Sequence, residues 1–223
     1  PPEQEERALA VDGLKMIFRN RDFLRLMVIF FIGLGIFNAV TTWIEDILRP
    51  HGFSAVQAGT IGGVMIIGGI LGALIIPILS DRYRKRTGFL VLALAGASVS
   101  LIGVTFGTAY SIVLVSAMCF GFFLLSSGPI GFQYGAEITY PVSEGTSNGF
   151  LLLMGQISGI AFIFGMDWLK SPVNGSMTRP MIALITLMIL GFFVSMRLRE
   201  SALLSRENIA PATGNPDRDS KLR

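Results

Sequence analysis

The sequence predicts an all-α membrane protein with six transmembrane helices, for two reasons. Only 15% of its 223 residues are charged and 52% are hydrophobic, whereas soluble domains carry about 25% charged residues. The apolar residues also fall into six long runs, each close to the roughly 17 to 25 residues that an α-helix needs to cross a bilayer. Six such runs in a chain this short cannot all lie in the core of a soluble domain.

Turns and charged loops separate the six predicted spans, which are residues 23–48, 55–80, 87–107, 110–135, 143–169 and 180–196. The second span holds two glycine pairs at the GxxxG spacing, which lets helix backbones approach closely: Gly59/Gly63 and Gly68/Gly72. Proline removes a backbone donor inside a helix, so we predict bending points at Pro77 and at Gly128–Pro129.

Lysine and arginine are concentrated on one side of the six spans. An even number of spans places both termini on the same side, and fifteen of the 18 basic residues then lie on that side. Because basic residues favour the cytoplasmic side, both termini are predicted to be cytoplasmic in a multi-pass protein of the cell membrane. Asn174 belongs to an Asn-Gly-Ser sequon and then lies on the external side of the membrane. Two interpretations stay open: the sequon is glycosylated, or it occurs by chance.

Two polar segments flank the predicted six-helix bundle of residues 23–199. Residues 1–22 form a cytoplasmic linker, for which a short interfacial helix and a solvated chain are open alternatives. Residues 200–223 contain two prolines and a glycine and are predicted to be a disordered cytoplasmic tail.

Residues that could form a catalytic or metal site are scarce in the spans. His51 is the only histidine and falls in a turn, and Cys119 is the only cysteine. No acidic pair lies at mid-span, and neither an HExxH nor a Walker A motif occurs. We therefore expect no enzyme, no metal, no cofactor and no nucleic-acid partner; the expected partners are the lipid bilayer and a small-molecule solute.

Gln156 is the leading candidate for a substrate-binding residue, because it lies midway along the fifth span. The residues that share its helical stripe are Gly145, Gly149, Leu152, Gly159 and Ile163. The glycines predict a close-packed face, with Gln156 pointing into the bundle rather than at lipid. A buried amide needs a partner, so an interhelical hydrogen bond and a bound ligand are both open.

Three more polar residues inside the spans are candidate substrate ligands. Asn38 and Thr42 lie in the first span, where Asn38 can instead bond another helix and the hydroxyls of Thr41 and Thr42 can bond their own backbone. Gln133 lies near the predicted cytoplasmic end of the fourth span. Its neighbour Tyr134 is interpreted as an anchor at the membrane interface.

A charged loop follows the second span and predicts an ion network. Glu137 lies on the same side, at the end of the fourth helix, where a carboxylate opposes the helix dipole and favours a cationic partner. We predict a network that holds one conformation of the protein, with a solvated Glu137 as the open alternative. Its members are Asp81, Arg82, Arg86 and Glu137.

The six spans, with both ends inside and the loop DRYRKR at residues 81–86, resemble one half of a major facilitator superfamily transporter. A more specific pattern looks like the feline leukaemia virus subgroup C receptor-related family, between helices 10 and 11 of the full transporter. It comprises Glu137-Ile138-Thr139-Tyr140-Pro141, Ser143-Glu144-Gly145-Thr146-Ser147, Gly149 and Gln156. Residues 20–26 also look like the run that leads into helix 7, so the resemblance implies the C-terminal half, helices 7–12.

The resemblance implies a secondary transporter that works by alternating access, with its site between two halves. The partner is then an N-terminal six-helix half, absent here, or a second copy. Family members move choline-like amines, and in them a glutamine at the Gln156 position reaches the substrate. An aromatic residue that encloses the quaternary ammonium is replaced here by Asn38, so a choline-like amine is one candidate among small organic solutes. The alternative is a non-transporting receptor, an accessory subunit or a truncated half-transporter.

Overall fold

A computed structural model describes residue 13, residues 15–172 and residues 175–201. This part of the chain contains six long helices: α1 (Arg21–Leu48), α2 (Ala55–Tyr83), α3 (Arg86–Phe106), α4 (Tyr110–Thr139), α5 (Glu144–Leu169) and α6 (Thr178–Ser195). All six are long and apolar enough to cross a membrane, so the predicted fold class is confirmed. A short 3₁₀ turn, Arg49–His51, follows α1.

Polar residues at the start of two helices explain where those helices begin. The Asn20 side chain accepts hydrogen bonds from the backbone of Asp22 and Phe23 at the start of α1. Ser54 and Gln57 form a reciprocal capping box at the start of α2. Both arrangements satisfy backbone donors that the first helical turn leaves free.

Helices α2 and α4 pack with their backbones in contact. A Cβ atom at Gly68 or Gly72 would overlap a backbone carbonyl of α4, and one at Gly121 would overlap the carbonyl of Met65 in α2. The predicted close approach at Gly68/Gly72 is therefore confirmed. The same expectation is wrong for the Gly59/Gly63 pair, because a Cβ at either position would meet nothing within 4 Å.

The remaining helices build outward from this pair. Helix α3 packs against α4 and α6, and α1 packs along α5 and also contacts α6. We call the end of the bundle where α1 begins and α6 ends the terminal side. The apolar core runs through the centre of the bundle and includes Phe23, Ile36, Met65, Leu94 and Phe120.

The chain after α6 runs across the terminal side of the bundle. The Tyr134 hydroxyl donates to the carbonyl of Arg199 at 2.6 Å, and a guanidinium nitrogen of Arg25 donates to the carbonyl of Arg197 at 2.9 Å. Tyr134 is fully buried, so its interpretation as an interface anchor is wrong: helix α4 turns this side chain into the bundle, where a backbone carbonyl satisfies its hydroxyl.

Only parts of the two flanking segments lie within the described residues. Residues 15–19 are helical, and the Ile17 side chain is fully buried. The rest of the predicted linker before residue 13, the tail after residue 201 and Asn174 of the sequon lie outside the described residues.

Candidate functional site

An open recess of about 320 Å³ lies where α1 and α5 run side by side. We call it the central recess. It brings together three of the four predicted substrate ligands, Asn38, Thr42 and Gln156, whereas Gln133 lies elsewhere. The other lining residues are Phe37, Thr41, Gly159, Ile160 and Ile163.

Gln156 lines this recess together with Gly159 and Ile163, two other residues of the predicted helical stripe. A Cβ atom at Gly145 or Gly149 would meet nothing within 4 Å, so the predicted close packing is wrong at these two glycines. At Gly159 it is confirmed, because a Cβ atom there would overlap the Asn38 side chain. The packed face of α5 also includes Gly155 and Ser158, which contact Leu34 and Gly35 of α1. Gln156 is consequently exposed in this six-helix unit and points away from the packed core into the recess.

The amide side chains of Asn38 and Gln156 are available for hydrogen bonds to a ligand in the recess. Within the described residues, neither Asn38 nor Gln156 has a side-chain hydrogen-bond partner, so these residues do not form the interhelical bond that was the alternative for each. A Cβ atom at Gly159 would lie 2.8 Å from the Asn38 amide nitrogen. Glycine at this position therefore makes room for the Asn38 amide beside α5.

The two threonines of the recess bond their own helix, as expected. The Thr41 hydroxyl donates to the carbonyl of Phe37 at 2.7 Å, and the Thr42 hydroxyl donates to the carbonyl of Asn38 at 2.8 Å. Each hydroxyl oxygen keeps its acceptor capacity. Among the described residues that line the recess, Phe37 is the only aromatic one and none is charged.

A cluster at the far ends of α1 and α5 bounds the recess on the side opposite the termini. The Lys170 ammonium lies 3.1 Å from a carboxylate oxygen of Asp46 and 5.3 Å from the centre of the Trp43 ring. The Trp43 indole donates to the carbonyl of Ile163 at 3.1 Å. Sequence reasoning missed this pairing, although opposite charges at the ends of two spans on the same side of the membrane could have indicated it.

Gln133 lines a second open recess, also of about 320 Å³, on the terminal side. We call it the terminal recess. Gln133 is therefore a neighbour of the predicted ion network and is separate from the central recess. The other lining residues are Arg86, Phe132, Ala136, Glu137, Tyr140, Glu144 and Asn148.

Arg86 is the centre of the ion network. Its guanidinium pairs with the carboxylate of Asp81 and, through Nε, with Glu137 at 3.2 Å. The predicted ion pair between Glu137 and the charged loop is therefore present. Arg82 makes no ion pair with any described residue, because α2 continues to Tyr83 and leaves the Arg82 side chain exposed on its last turn.

The terminal recess also contains acceptors without donors. In the described part of the chain, Glu137 Oε2 and Asn148 Oδ1 are buried and have no hydrogen-bond partner. A buried acceptor without a partner costs free energy, so these two atoms are unsatisfied polar groups beside the ion network.

The predicted bending points lie inside continuous helices. Pro77 lies within α2 and Pro129 within α4. A Cβ at Gly128 would meet nothing within 4 Å, and the hydroxyls of Ser126 and Ser127 donate to backbone carbonyls one turn earlier at 2.6 Å. Bending at these positions stays a prediction.

The apolar helices, the uncharged polar recess between two of them and the ion network at their ends define a multi-pass membrane transport protein. The sequence profile of the Major Facilitator Superfamily matches residues 1–163, and the chain belongs to this family. The fold is half of the two-part bundle of this family, as the sequence predicted, and the chain is related to the feline leukaemia virus subgroup C receptor-related transporters.

Three similar proteins illustrate the relationship. An uncharacterised protein of Archaeoglobus fulgidus is 36% identical over 163 residues, which are 72% of this chain and 74% of that protein. Solute carrier family 49 member A3 of Xenopus tropicalis is 32% identical over 76% of this chain and 36% of its own length. The choline/ethanolamine transporter FLVCR1 of Felis catus is 30% identical over 97% of this chain and 40% of its own length. The chain thus spans well under half of the two vertebrate relatives.

Proposed function

We propose that this chain is the C-terminal six-helix half of a secondary transporter that moves a small organic solute by alternating access. One observation carries the proposal. Two amide side chains, Asn38 and Gln156, meet in an uncharged recess on an open face of the bundle, with no partner among the described residues. Amides kept free of protein partners can bond a solute that enters and leaves.

A choline-like amine is the first candidate solute. The name of the cat relative, a choline/ethanolamine transporter, supports this choice. Phe37 is the only aromatic side chain among the described residues that line the central recess. A cation–π cage for a quaternary ammonium therefore requires aromatic residues from the part of the transporter that covers this recess.

The covering part is an N-terminal six-helix half or, as the alternative, a second copy of this chain. The two halves of a major facilitator superfamily transporter are related by an axis along the membrane normal, so either partner can face the recess in the same orientation. We place the protein in the cell membrane with its terminal side in the cytoplasm, because most of its basic residues lie on that side.

The ion network of Arg86, Asp81 and Glu137 acts in this proposal as a gate on the terminal side. Breaking the network is expected to change how long each conformation lasts. Pro77 and Gly128–Pro129 are the positions where α2 and α4 are expected to bend during the exchange.

Uptake into cells that express the complete transporter tests the proposal, with radiolabelled choline and ethanolamine as first substrates. Substituting Gln156→Ala removes one amide contact of about 1 kcal/mol, so uptake at low substrate concentration is expected to fall about fivefold to tenfold. The matched control is Leu153→Ala, which truncates an exposed side chain of the same helix outside the recess.

Three outcomes separate the alternatives. Uptake that falls only in the Gln156 variant, at equal surface expression, supports the proposed site. Uptake that is unchanged in both variants removes Gln156 from the substrate site. A complete protein that takes up neither these amines nor other small solutes favours the non-transporting alternative.

A further inference from the structure

The first turn of α3 takes its cap from a distant part of the chain. Lys85 precedes α3 and provides no side-chain cap, and no acidic residue lies in the first turn. Instead, the Glu200 carboxylate accepts the backbone N–H groups of Arg86 at 2.8 Å and Thr87 at 3.3 Å. It also accepts the Thr87 hydroxyl at 2.7 Å. A carboxylate at this position satisfies free backbone donors and suits the positive end of the helix dipole.

Arg86 belongs to this cap and to the ion network at the same time. Its backbone N–H bonds to Glu200, while its guanidinium pairs with Asp81 and Glu137. The residue is only 7% exposed. A buried cation depends on the position of its partners, so a shift of the first turn of α3 would move the guanidinium away from the carboxylates it joins.

Glu200 is itself held by the segment that follows α6. We call residues 196–201 the C-terminal strap. The strap is fixed by Tyr134 of α4 and Arg25 of α1, which donate to the carbonyls of Arg199 and Arg197. Leu198 is 8% exposed and Ser201 is 1% exposed. The strap therefore links α1, α3 and α4 at the end of the bundle where the ion network lies.

We propose that Glu200 is a positioning residue, through which the C-terminal strap holds Arg86 in the ion network and so sets the balance between the conformations of the protein. The consequence for transport rests on the proposed function. The effect of Glu200 on the terminal recess is independent of the proposed function, because this chain alone forms that recess and its ion pairs.

The test measures access to the terminal recess without any solute. In the complete protein, with Cys119 and every other native cysteine replaced by serine, an Ala136→Cys substitution places one reporter thiol in this recess. The protein is held in nanodiscs, which leave both faces open, and a membrane-impermeant maleimide labels the thiol. Glu200→Gln removes the negative charge and one of the two acceptor oxygens at the start of α3. It is expected to speed labelling about fivefold, the factor that corresponds to a weakened cap together with the lost charge at the helix N-terminus. Thr87→Val, which removes one of three bonds to the carboxylate, should have a smaller effect in the same direction.

Two comparisons distinguish positioning from simple stabilisation. Arg199→Gln is the matched control, because the strap uses the backbone carbonyl of Arg199 and leaves its side chain exposed; labelling should stay at the parent rate. In an Arg86→Gln background, Glu200→Gln should raise the labelling rate less than twofold, because the effects of residues that act through one another are not additive.

Either of two results would overturn the proposal. A lower melting temperature of the Glu200→Gln variant with an unchanged labelling rate would mean that Glu200 only caps α3. A full fivefold effect in the Arg86→Gln background would mean that Glu200 acts independently of Arg86. Because no substrate is used, a failure here leaves the uptake test of Gln156 standing, and a failure of uptake leaves the labelling result interpretable.

Discussion

The central recess and the terminal recess have the same size and opposite chemistry. Each encloses about 320 Å³. No charged residue is among the described residues that line the central recess, and its two amides have no partner there. In the terminal recess a buried arginine already joins two carboxylates. Polar groups left free are suited to bind a solute, whereas charges paired within the protein are suited to hold a conformation.

The largest expected effect comes from removing the paired cation of the terminal recess. Arg86→Gln leaves the mostly buried Glu137 carboxylate without its counter-charge, so the free energy of unfolding should fall by about 3 kcal/mol. Denaturant unfolding in detergent micelles measures the loss. Arg82→Gln is the matched control, because Arg82 makes no ion pair within the described residues, and its stability should equal that of the parent protein. Equal losses in the two variants would contradict the assignment of Arg86 as the centre of the network.

A smaller effect is expected where the central recess is narrowed. Gly159→Ala adds a methyl group 2.8 Å from the Asn38 amide nitrogen, so the amide must move. The KM for uptake should rise roughly threefold to tenfold, which corresponds to about one hydrogen bond, with surface expression unchanged. Gly145→Ala adds the same methyl group where nothing lies within 4 Å and should leave KM unaltered. A similar KM in both variants would show that the position of the Asn38 amide does not matter for uptake.

The smallest effect is expected at Thr42, one of the two threonines of the central recess. The Thr42 hydroxyl already donates to the carbonyl of Asn38, so only its acceptor lone pairs are available to a solute. Thr42→Val should therefore change uptake by less than about twofold, well below the effect of Gln156→Ala measured in the same cells. A loss as large as that of the Gln156 variant would mean that the hydroxyl leaves its helix to bond the solute.

The fold was predictable from hydropathy, but the packing faces were not. Gly68/Gly72 and Gly59/Gly63 have the same spacing, yet only the first pair meets another helix. Lipid and the protein interior favour the same apolar side chains, so a membrane helix lacks the polar stripe that marks the outer face of a soluble helix. The prediction for Gly145 and Gly149 was wrong for the same reason, whereas the close packing predicted for Gly159 on the same stripe is present.

Charges gave a clearer signal than apolar residues. The pairing of Glu137 with Arg86 was predictable, because opposite charges at the ends of spans on one side of a bilayer have few other partners. The bond from Glu200 to α3 was not predictable, since nothing in the sequence of the tail marks one acid as a helix cap. Asp46 and Lys170 carried the same kind of signal as Glu137 and were missed.

The cluster of Trp43, Asp46 and Lys170 affects the distance between the two amides that would contact a solute. Helices α1 and α5 are joined at their far ends by the Asp46–Lys170 ion pair and the Trp43 indole, and farther along by the close contact of Gly159 with Asn38. Because these contacts join α1 and α5 at several points, we expect the two helices to move together. In the alternating access proposed above, the distance between the Asn38 and Gln156 amides is then expected to be the same in the inward-open and the outward-open conformation.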